Sequence, residues 1–281
     1  MSTRRVEELL VAQATSDGAG VRLMRVFGGQ ELSRFDPFLM LDEFGSDESS
    51  DYIGGFPSHP HRGFETVTYM LDGHMQHKDH MGNVGELKNG DVQWMTAGSG
   101  IIHSEMPQQK EGRMRGFQLW LNLAAKDKMQ PASYSDISAK DIPVYQREGG
   151  YIKAIAGSLD NLQGHINKDV TEPIYLDIVI DKAPYAETFA VPDGNTVMVY
   201  VYEGSAEVNG TVVAKSRLAR LSRQGGSVEI KTTDAARVLL ISGKPIGEPI
   251  VHYGPFVMNS REEIEQALSD YRNGTLTRRS A

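Results

Sequence analysis

The 281-residue chain contains no cysteine. Disulfide bonds and thiolate metal sites are therefore excluded, and a metal would have to be held by nitrogen and oxygen ligands. Basic residues are also scarce relative to acidic ones, with 29 Lys and Arg against 37 Asp and Glu and a formal net charge of -8. This balance argues against sequence-independent binding to a phosphate backbone, so we expect no direct contact with nucleic acid.

Long apolar runs are missing as well. A helix that crosses a bilayer needs about 20 consecutive apolar residues, and no segment of the chain reaches that length. Residues 1–30 hold only short runs interrupted by charges, such as Val6–Val11, and show no secretory signal. We therefore expect a cytoplasmic location and no membrane association.

Helical periodicity is almost absent, and short apolar or alternating segments recur in its place. Thr66–Leu71 is one such segment, and it ends in the turn Asp72-Gly73. Asn89-Gly90, a strong hairpin signal, separates two further segments at 84–88 and 91–96. Many short strands with turn signals at regular spacing are typical of an antiparallel barrel or sandwich.

The chain divides into two all-β halves of similar size. A softer, polar region at 124–143 separates them, and we expect domains at 1–135 and 136–281. The exception to the all-β pattern is a short amphipathic helix predicted at 261–272. Ser260 and Glu263 form a capping box at its start.

Two pairs of metal-binding residue types mark the ends of one stretch in the first half. His59 and His61 are separated by one residue, and so are His103 and Glu105. Residues i and i+2 of a strand point to the same face. If the two strands face each other, three imidazoles and one carboxylate converge. A single His-x-His occurs for packing or solvation too, and the second pair favours metal binding.

The second half lacks this set. The segment Tyr69–Gly73 is similar to Tyr200–Gly204, which suggests an internal repeat. Sliding the halves by that match places two pairs opposite each other: Ala190 with His59, and Pro192 with His61. The repeat therefore predicts one metal site per chain, in the first domain.

Imidazole and carboxylate ligands suit a divalent transition metal such as iron, nickel, copper or zinc. Three histidines and one glutamate leave further coordination positions free at a five- or six-coordinate metal. Such positions allow a substrate oxygen or O₂ to bind.

His59–Tyr69 is similar to the first cupin motif, which has His-x-His, three residues, Glu and a later Gly, here Gly73. More narrowly, the chain resembles the pirin family. Four further segments carry this resemblance: Asp36–Phe44, Gly90–Gly98, Ile102–Pro107 and Tyr253–Met258. It implies two tandem cupin (double-stranded β-helix or jelly-roll) barrels, a metal-binding one followed by a degenerate one.

By motif position, the resemblance implies metal ligands at His59, His61, His103 and Glu105. The expected metal is Fe²⁺, with Mn, Co, Ni, Cu and Zn left open. Glu65, the carboxylate of the general cupin motif, is not a ligand in the pirin family and is expected either to support the ligands or to be structural.

The resemblance implies two possible functions. Some pirins are quercetin 2,4-dioxygenases, which open the flavonol ring with O₂ and release CO. Others are redox-responsive regulators that act through protein partners. For the enzyme, we expect a flavonol-like aromatic substrate, O₂, and Glu105 as the acceptor of the flavonol 3-hydroxyl proton. We expect a monomer.

A second histidine run, His74, His77 and His80, follows the turn at Asp72-Gly73. Its spacing does not place the side chains on one face of a strand, so we expect a solvated hairpin, with His77 able to reach the mouth of the site. Trp94 and Phe64 are either walls of a substrate cavity or core residues.

Overall fold

The computed structural model describes residues 2–29 and 31–278. Within them nearly all of the regular secondary structure is β-strand, as the recurring short apolar segments predict. The strands of the first half are β1 (Val6–Val11), β2 (Gln13–Asp17), β3 (Val21–Phe27), β4 (Phe38–Ser46), β5 (Phe56–His61), β6 (Phe64–Asp72), β7 (Met75–Asp79), β8 (Val84–Leu87), β9 (Val92–Thr96), β10 (Ile101–Pro107), β11 (Met114–Asn122) and β12 (Ser133–Ile137).

Strands also build the second half of the chain. They are β13 (Val144–Arg147), β14 (Gly150–Ala156), β15 (Ser158–Leu159), β16 (Leu162–Gln163), β17 (Ile174–Ile180), β18 (Tyr185–Phe189), β19 (Thr196–Glu203), β20 (Ser205–Val208), β21 (Thr211–Ala214), β22 (Arg217–Leu221), β23 (Val228–Thr232), β24 (Ala236–Gly243), β25 (Val251–Tyr253) and β26 (Phe256–Met258). Short 3-10 helices lie at Leu32–Arg34, Ser49–Asp51, Ala125–Asp127 and Ala139–Asp141.

The C-terminal helix α1 (Arg261–Arg272) has the predicted bounds. The Ser260 side chain accepts a hydrogen bond from the Glu263 backbone, and the Glu263 side chain accepts one from the Ser260 backbone. This reciprocal box satisfies amide groups that the first helical turn leaves unpaired. No helix of the described residues is long and apolar enough to cross a membrane.

The chain forms two compact units, and each joins segments that are distant in sequence. We call residues 14–139 together with the chain from Ile246 onward the motif unit, because it contains the His59–Glu105 stretch. We call the chain up to Gln13 together with Lys140–Pro245 the filled unit.

The contiguous ranges 1–135 and 136–281 expected from the sequence do not describe these units. β1 joins the filled unit because it pairs antiparallel with β22. β26 and α1 join the motif unit through Arg62, whose carbonyl accepts from the Val257 amide and whose guanidinium pairs with Asp270 at 2.8 Å. The partners of these terminal segments lie far away in the chain, so no local sequence pattern predicts these contacts.

Two larger sheets form most of the motif unit, beside the two-stranded sheet β25-β26. A seven-stranded sheet has the order β12-β9-β6-β11-β4-β3-β2, and a four-stranded sheet has the order β5-β10-β7-β8. The pairings from β12 to β3 in the larger sheet, and all pairings in the smaller one, are antiparallel. β5 and β10, which carry the two ligand pairs, are therefore neighbours in the smaller sheet.

The filled unit repeats this arrangement, with a seven-stranded sheet (β1-β22-β19-β24-β17-β14-β13) and a four-stranded sheet (β18-β23-β20-β21). Its interior is apolar: Phe189, Val191, Val197, Val199 and Leu240 belong to one buried cluster. Ala190 and Pro192, which the repeat aligns with His59 and His61, flank Val191 in this unit. Large aliphatic and aromatic side chains pack against each other in the interior of this unit.

Candidate metal centre

The two ligand pairs lie on adjacent antiparallel strands. In the β5–β10 register His59 is opposite His103, and His61 is opposite Ile101. The register then shifts between His103 and Glu105. The sequence pattern therefore brings the three histidines together through direct strand pairing, as expected, while an irregularity separates Glu105 from that regular register.

The three imidazoles surround one point. The Nε2 atoms of His59 and His61 lie 3.0 Å apart. The ring centroid of His103 lies 4.3 Å from that of His59 and 4.9 Å from that of His61. One ring nitrogen from each histidine lies within 4.8 Å of the others, and no other described group of His, Asp and Glu side chains has this geometry.

The surroundings of His59 and His103 leave the lone pair of one ring nitrogen in each available to bind a metal. His59 Nδ1 lies 2.8 Å from the carbonyl of Pro57, so it carries the ring proton and leaves Nε2 as an acceptor. His103 Nε2 is buried and has no hydrogen-bond partner among the described residues. Burial, reinforced by the neighbouring histidines, lowers the pKa of both His61 and His103 well below that of a free imidazole. Neutral, oriented imidazoles of this kind fit a divalent transition metal.

Glu105 faces the same cavity as His59 and His61 but stands apart from the three-imidazole group. It is buried, and its Oε1 lies 3.1 Å from the Thr68 hydroxyl. The same hydroxyl lies 2.6 Å from Oε1 of Gln118. Because a hydroxyl has one proton, it serves only one of the two oxygens at a time. The ligand role of Glu105 remains a prediction.

His77 differs from the solvated hairpin residue expected from the sequence. It lies on β7 opposite Glu105 of β10 and is completely buried. Its Nδ1 is 3.3 Å from Nδ1 of His103, so it lies behind that imidazole. His74 instead pairs with Glu86 at the surface. The position of His77 follows from the β7–β10 register, which the spacing of the histidines does not reveal.

A cavity of about 620 Å³ opens beside the histidines. Its lining includes Trp120, whose ring lies 5.3 Å from that of His61. Trp94 and Phe64, the aromatic walls considered from the sequence, are both buried in the core and do not line this cavity. Trp120 was not predicted from the sequence as a cavity residue. It lies two residues after Gln118 on one strand, so the two side chains point to the same face.

Glu65 is held away from the cavity. It lies on β6, it is buried, and its Oε1 accepts a hydrogen bond from Thr96 at 2.6 Å. This contact agrees with the structural role expected for it.

Comparison with known proteins identifies the family. The pirin model matches residues 20–121, and the model of the pirin C-terminal cupin domain matches residues 175–277. The chain belongs to the pirin family. Both halves of the chain are thus cupin domains, and the all-β fold expected from the sequence is confirmed.

Similar proteins cover nearly the whole length of the chain. A Pseudomonas aeruginosa protein with the name "Putative quercetin 2,3-dioxygenase" is 56% identical over 97% of the chain and 98% of its own length. A pirin-like protein of Caulobacter vibrioides is 48% identical over 98% and 99%. The crystal structure of a quercetin 2,3-dioxygenase from Acinetobacter baumannii superposes with a TM-score of 0.91 at 34% identity, over 98% of this chain and 99% of that one.

Proposed function

We propose that the chain is a metal-dependent dioxygenase that opens a flavonol such as quercetin with O₂ by 2,4-cleavage. The observation that carries this proposal is the group of three histidines, two of which, His59 and His61, line a cavity of about 620 Å³. Cavities of about 300–1,000 Å³ are typical of small-molecule sites. The names of the similar proteins support the same class of oxidoreductase.

The proposed ligands are His59, His61 and His103, with Glu105 as the fourth. One divalent metal is proposed, and Fe²⁺ is the first choice. When bound, such a metal supplies Lewis acidity that favours the flavonol anion, and access to O₂ chemistry.

The chain itself contributes position and a proton acceptor. In the proposed mechanism Glu105 accepts the proton of the flavonol 3-hydroxyl at a carboxylate oxygen, and the Thr68 hydroxyl orients that carboxylate. Trp120 offers a flat face next to His61, which would orient the aromatic plane. The ring-opened ester and CO together account for the flavonol and the O₂ consumed.

The test uses anaerobic protein loaded with Fe²⁺, and in parallel with Mn, Co, Ni, Cu and Zn. Quercetin is added, air is admitted, and the loss of the flavonol absorption band and the release of CO are measured. We expect loss of the band with at least one metal, and none in the His59→Ala variant. Loss that persists in that variant, or no loss with any metal, would contradict the proposal, and the second result would favour a metal-binding regulatory protein with a protein partner.

A further inference from the structure

One row of polar side chains crosses the cavity wall of the motif unit. Four adjacent strands, β6, β11, β4 and β3, bring one residue each to the same level. Thr68 is paired with Gln118, Gln118 with Asp42, and Asp42 with Arg25. All four side chains line the cavity. Neighbouring strands are roughly 4.8 Å apart, so this polar row extends about 14 Å from Thr68 to Arg25.

Apolar side chains flank the polar row on both sides. Residues two positions away on the same strands point to the same face. They pair as Trp120 with Met40 on one side, and as Phe44 with Leu23 on the other. All of them line the cavity as well. A flat aromatic molecule would thus meet apolar surface along its sides and hydrogen-bonding groups along its middle.

The far end of the polar row is an ion pair. Arg25 Nε and Nη2 donate to Oδ1 and Oδ2 of Asp42 at 2.9 and 2.8 Å, and Nη2 lies 3.4 Å from Asp17. The Asp42 side chain is 4% exposed. Each of its oxygens has a second lone pair that can accept from a bound molecule. The side-chain NH₂ of Gln118, between this pair and Thr68, donates to none of the described residues.

We propose that this polar row is the substrate subsite that selects polyhydroxylated aromatic molecules, with the Asp42–Arg25 pair binding phenolic hydroxyls at the end remote from Glu105. This inference rests on the proposed function. A three-ring flavonol has a length comparable to the polar row. A phenolic O–H donates to Asp42, and a neighbouring phenolic oxygen accepts from Arg25 or Gln118. The subsite adds recognition of the distal ring to the chemistry at the histidines.

The next residue of β4 supplies a matched control. The Glu43 carboxylate forms an ion pair with Arg115 of β11, whose Nε and Nη2 lie 2.9 and 2.6 Å from Glu43 Oε1. This pair is also largely buried, but alternation along the strand places Glu43 on the opposite face from Asp42, and it does not line the cavity. Loss of its charge changes a cross-strand ion pair without changing the proposed subsite.

The experiment measures dissociation constants of two flavonols under anaerobic conditions, with zinc-loaded full-length protein. Quercetin carries hydroxyls on both outer ring systems, and 3-hydroxyflavone carries only the 3-hydroxyl. We expect the wild type to bind quercetin at least tenfold more tightly, and Asp42→Asn to reduce that ratio at least fivefold. Glu43→Gln should leave the ratio unchanged. The ratio cancels effects that are common to both ligands.

Gln118→Leu is the second variant, in case Asp42→Asn does not fold, and it should also reduce the ratio. An unchanged ratio in folded Asp42→Asn and Gln118→Leu would overturn the subsite, even if quercetin is consumed in air. Failure of wild-type protein to bind either flavonol would also overturn it. An Asp42-dependent ratio without turnover in air would support the subsite and contradict the dioxygenase proposal alone.

Discussion

At the scale of single residues, Glu105 carries the proposed proton transfer. A glutamine at this position can still accept from Thr68 and offer an oxygen to a metal, but it cannot take up a proton. We expect Glu105→Gln to retain part of its iron and to lose turnover by about 10²-fold or more. Metal analysis and the rate of quercetin loss at saturating metal measure both effects.

Glu65→Gln is the control for this variant, because Glu65 is a buried carboxylate that contacts Thr96 and not the cavity. Its turnover per bound metal should remain within a few-fold of wild type. If Glu105→Gln instead matches the wild-type rate, Glu105 does not act as the base.

The residues that the sequence made predictable are those whose geometry follows from local spacing. His59 and His61 share a strand face by alternation, and so do His103 and Glu105. His77 and Trp120 were not predictable in the same way. Their contacts with the histidines depend on which strands are neighbours and in what register, and this is decided by packing over the whole sheet.

At the scale of elements, α1 is held by an ion pair whose arginine is buried. The Arg62 side chain is 4% exposed, and it donates to Asp270 of α1 and to the carbonyls of Ser99 and Leu276. Removal of the carboxylate charge leaves a buried cation without its counter-ion. We expect Asp270→Asn to lower the free energy of unfolding by roughly 3 kcal/mol in urea denaturation.

Asp47→Asn is the matched control, because Asp47 and Arg113 form an exposed pair at 3.8 Å in the same unit. It should change the free energy of unfolding by less than about 0.5 kcal/mol. Equal effects of the two substitutions would show that the Arg62–Asp270 pair does not hold the helix.

A buried lysine connects β26 to the turn after the His-x-His motif through hydrogen bonds. Lys128 Nζ donates to the carbonyls of Gly63 and Val257 at 2.7 and 3.0 Å and to Oδ1 of Asn122 at 2.6 Å. Burial lowers the pKa of Lys128 from 10.5 to about 8. Between these values the unfolded chain binds a proton that the folded chain has released, so Lys128 makes the free energy of unfolding rise with pH across that window.

The Lys128→Met variant lacks this ionisable group and keeps all other ionisable groups of the chain. The difference in free energy of unfolding between wild type and variant should therefore shift in favour of the wild type by about 3 kcal/mol from pH 8 to pH 10.5. Urea denaturation at several pH values measures it. A constant difference would mean that the folded and unfolded lysines share one pKa.

At the scale of the whole molecule, the sequence predicted two β halves with one metal group, but not which segments complete each unit. The lack of a metal group in the second half could be predicted, because Ala190 and Pro192 stand at the positions that align with His59 and His61. The exchange of termini could not be predicted, because β1 pairs with β22 and β26 contacts Arg62, and both contacts lie in the other half of the chain.

This exchange leads to a prediction about truncation. A chain that ends at Pro245 lacks β25, β26 and α1, so Phe64 loses its packing against Val257 and Arg62 loses Asp270. Both tryptophans, Trp94 and Trp120, lie in the motif unit. We expect their emission to shift to longer wavelength and to lose a cooperative urea transition, because the core of that unit is opened.

Far-UV circular dichroism should still show a cooperative transition from the filled unit, since its described segments are all retained. A chain that ends at Arg278, which keeps β25, β26 and α1, is the control and should unfold like the full chain. Unchanged tryptophan emission with an unchanged midpoint in the shorter chain would mean that residues 14–139 form the ligand-bearing barrel alone. The contiguous boundary near residue 135 would then be the correct description of the folding unit.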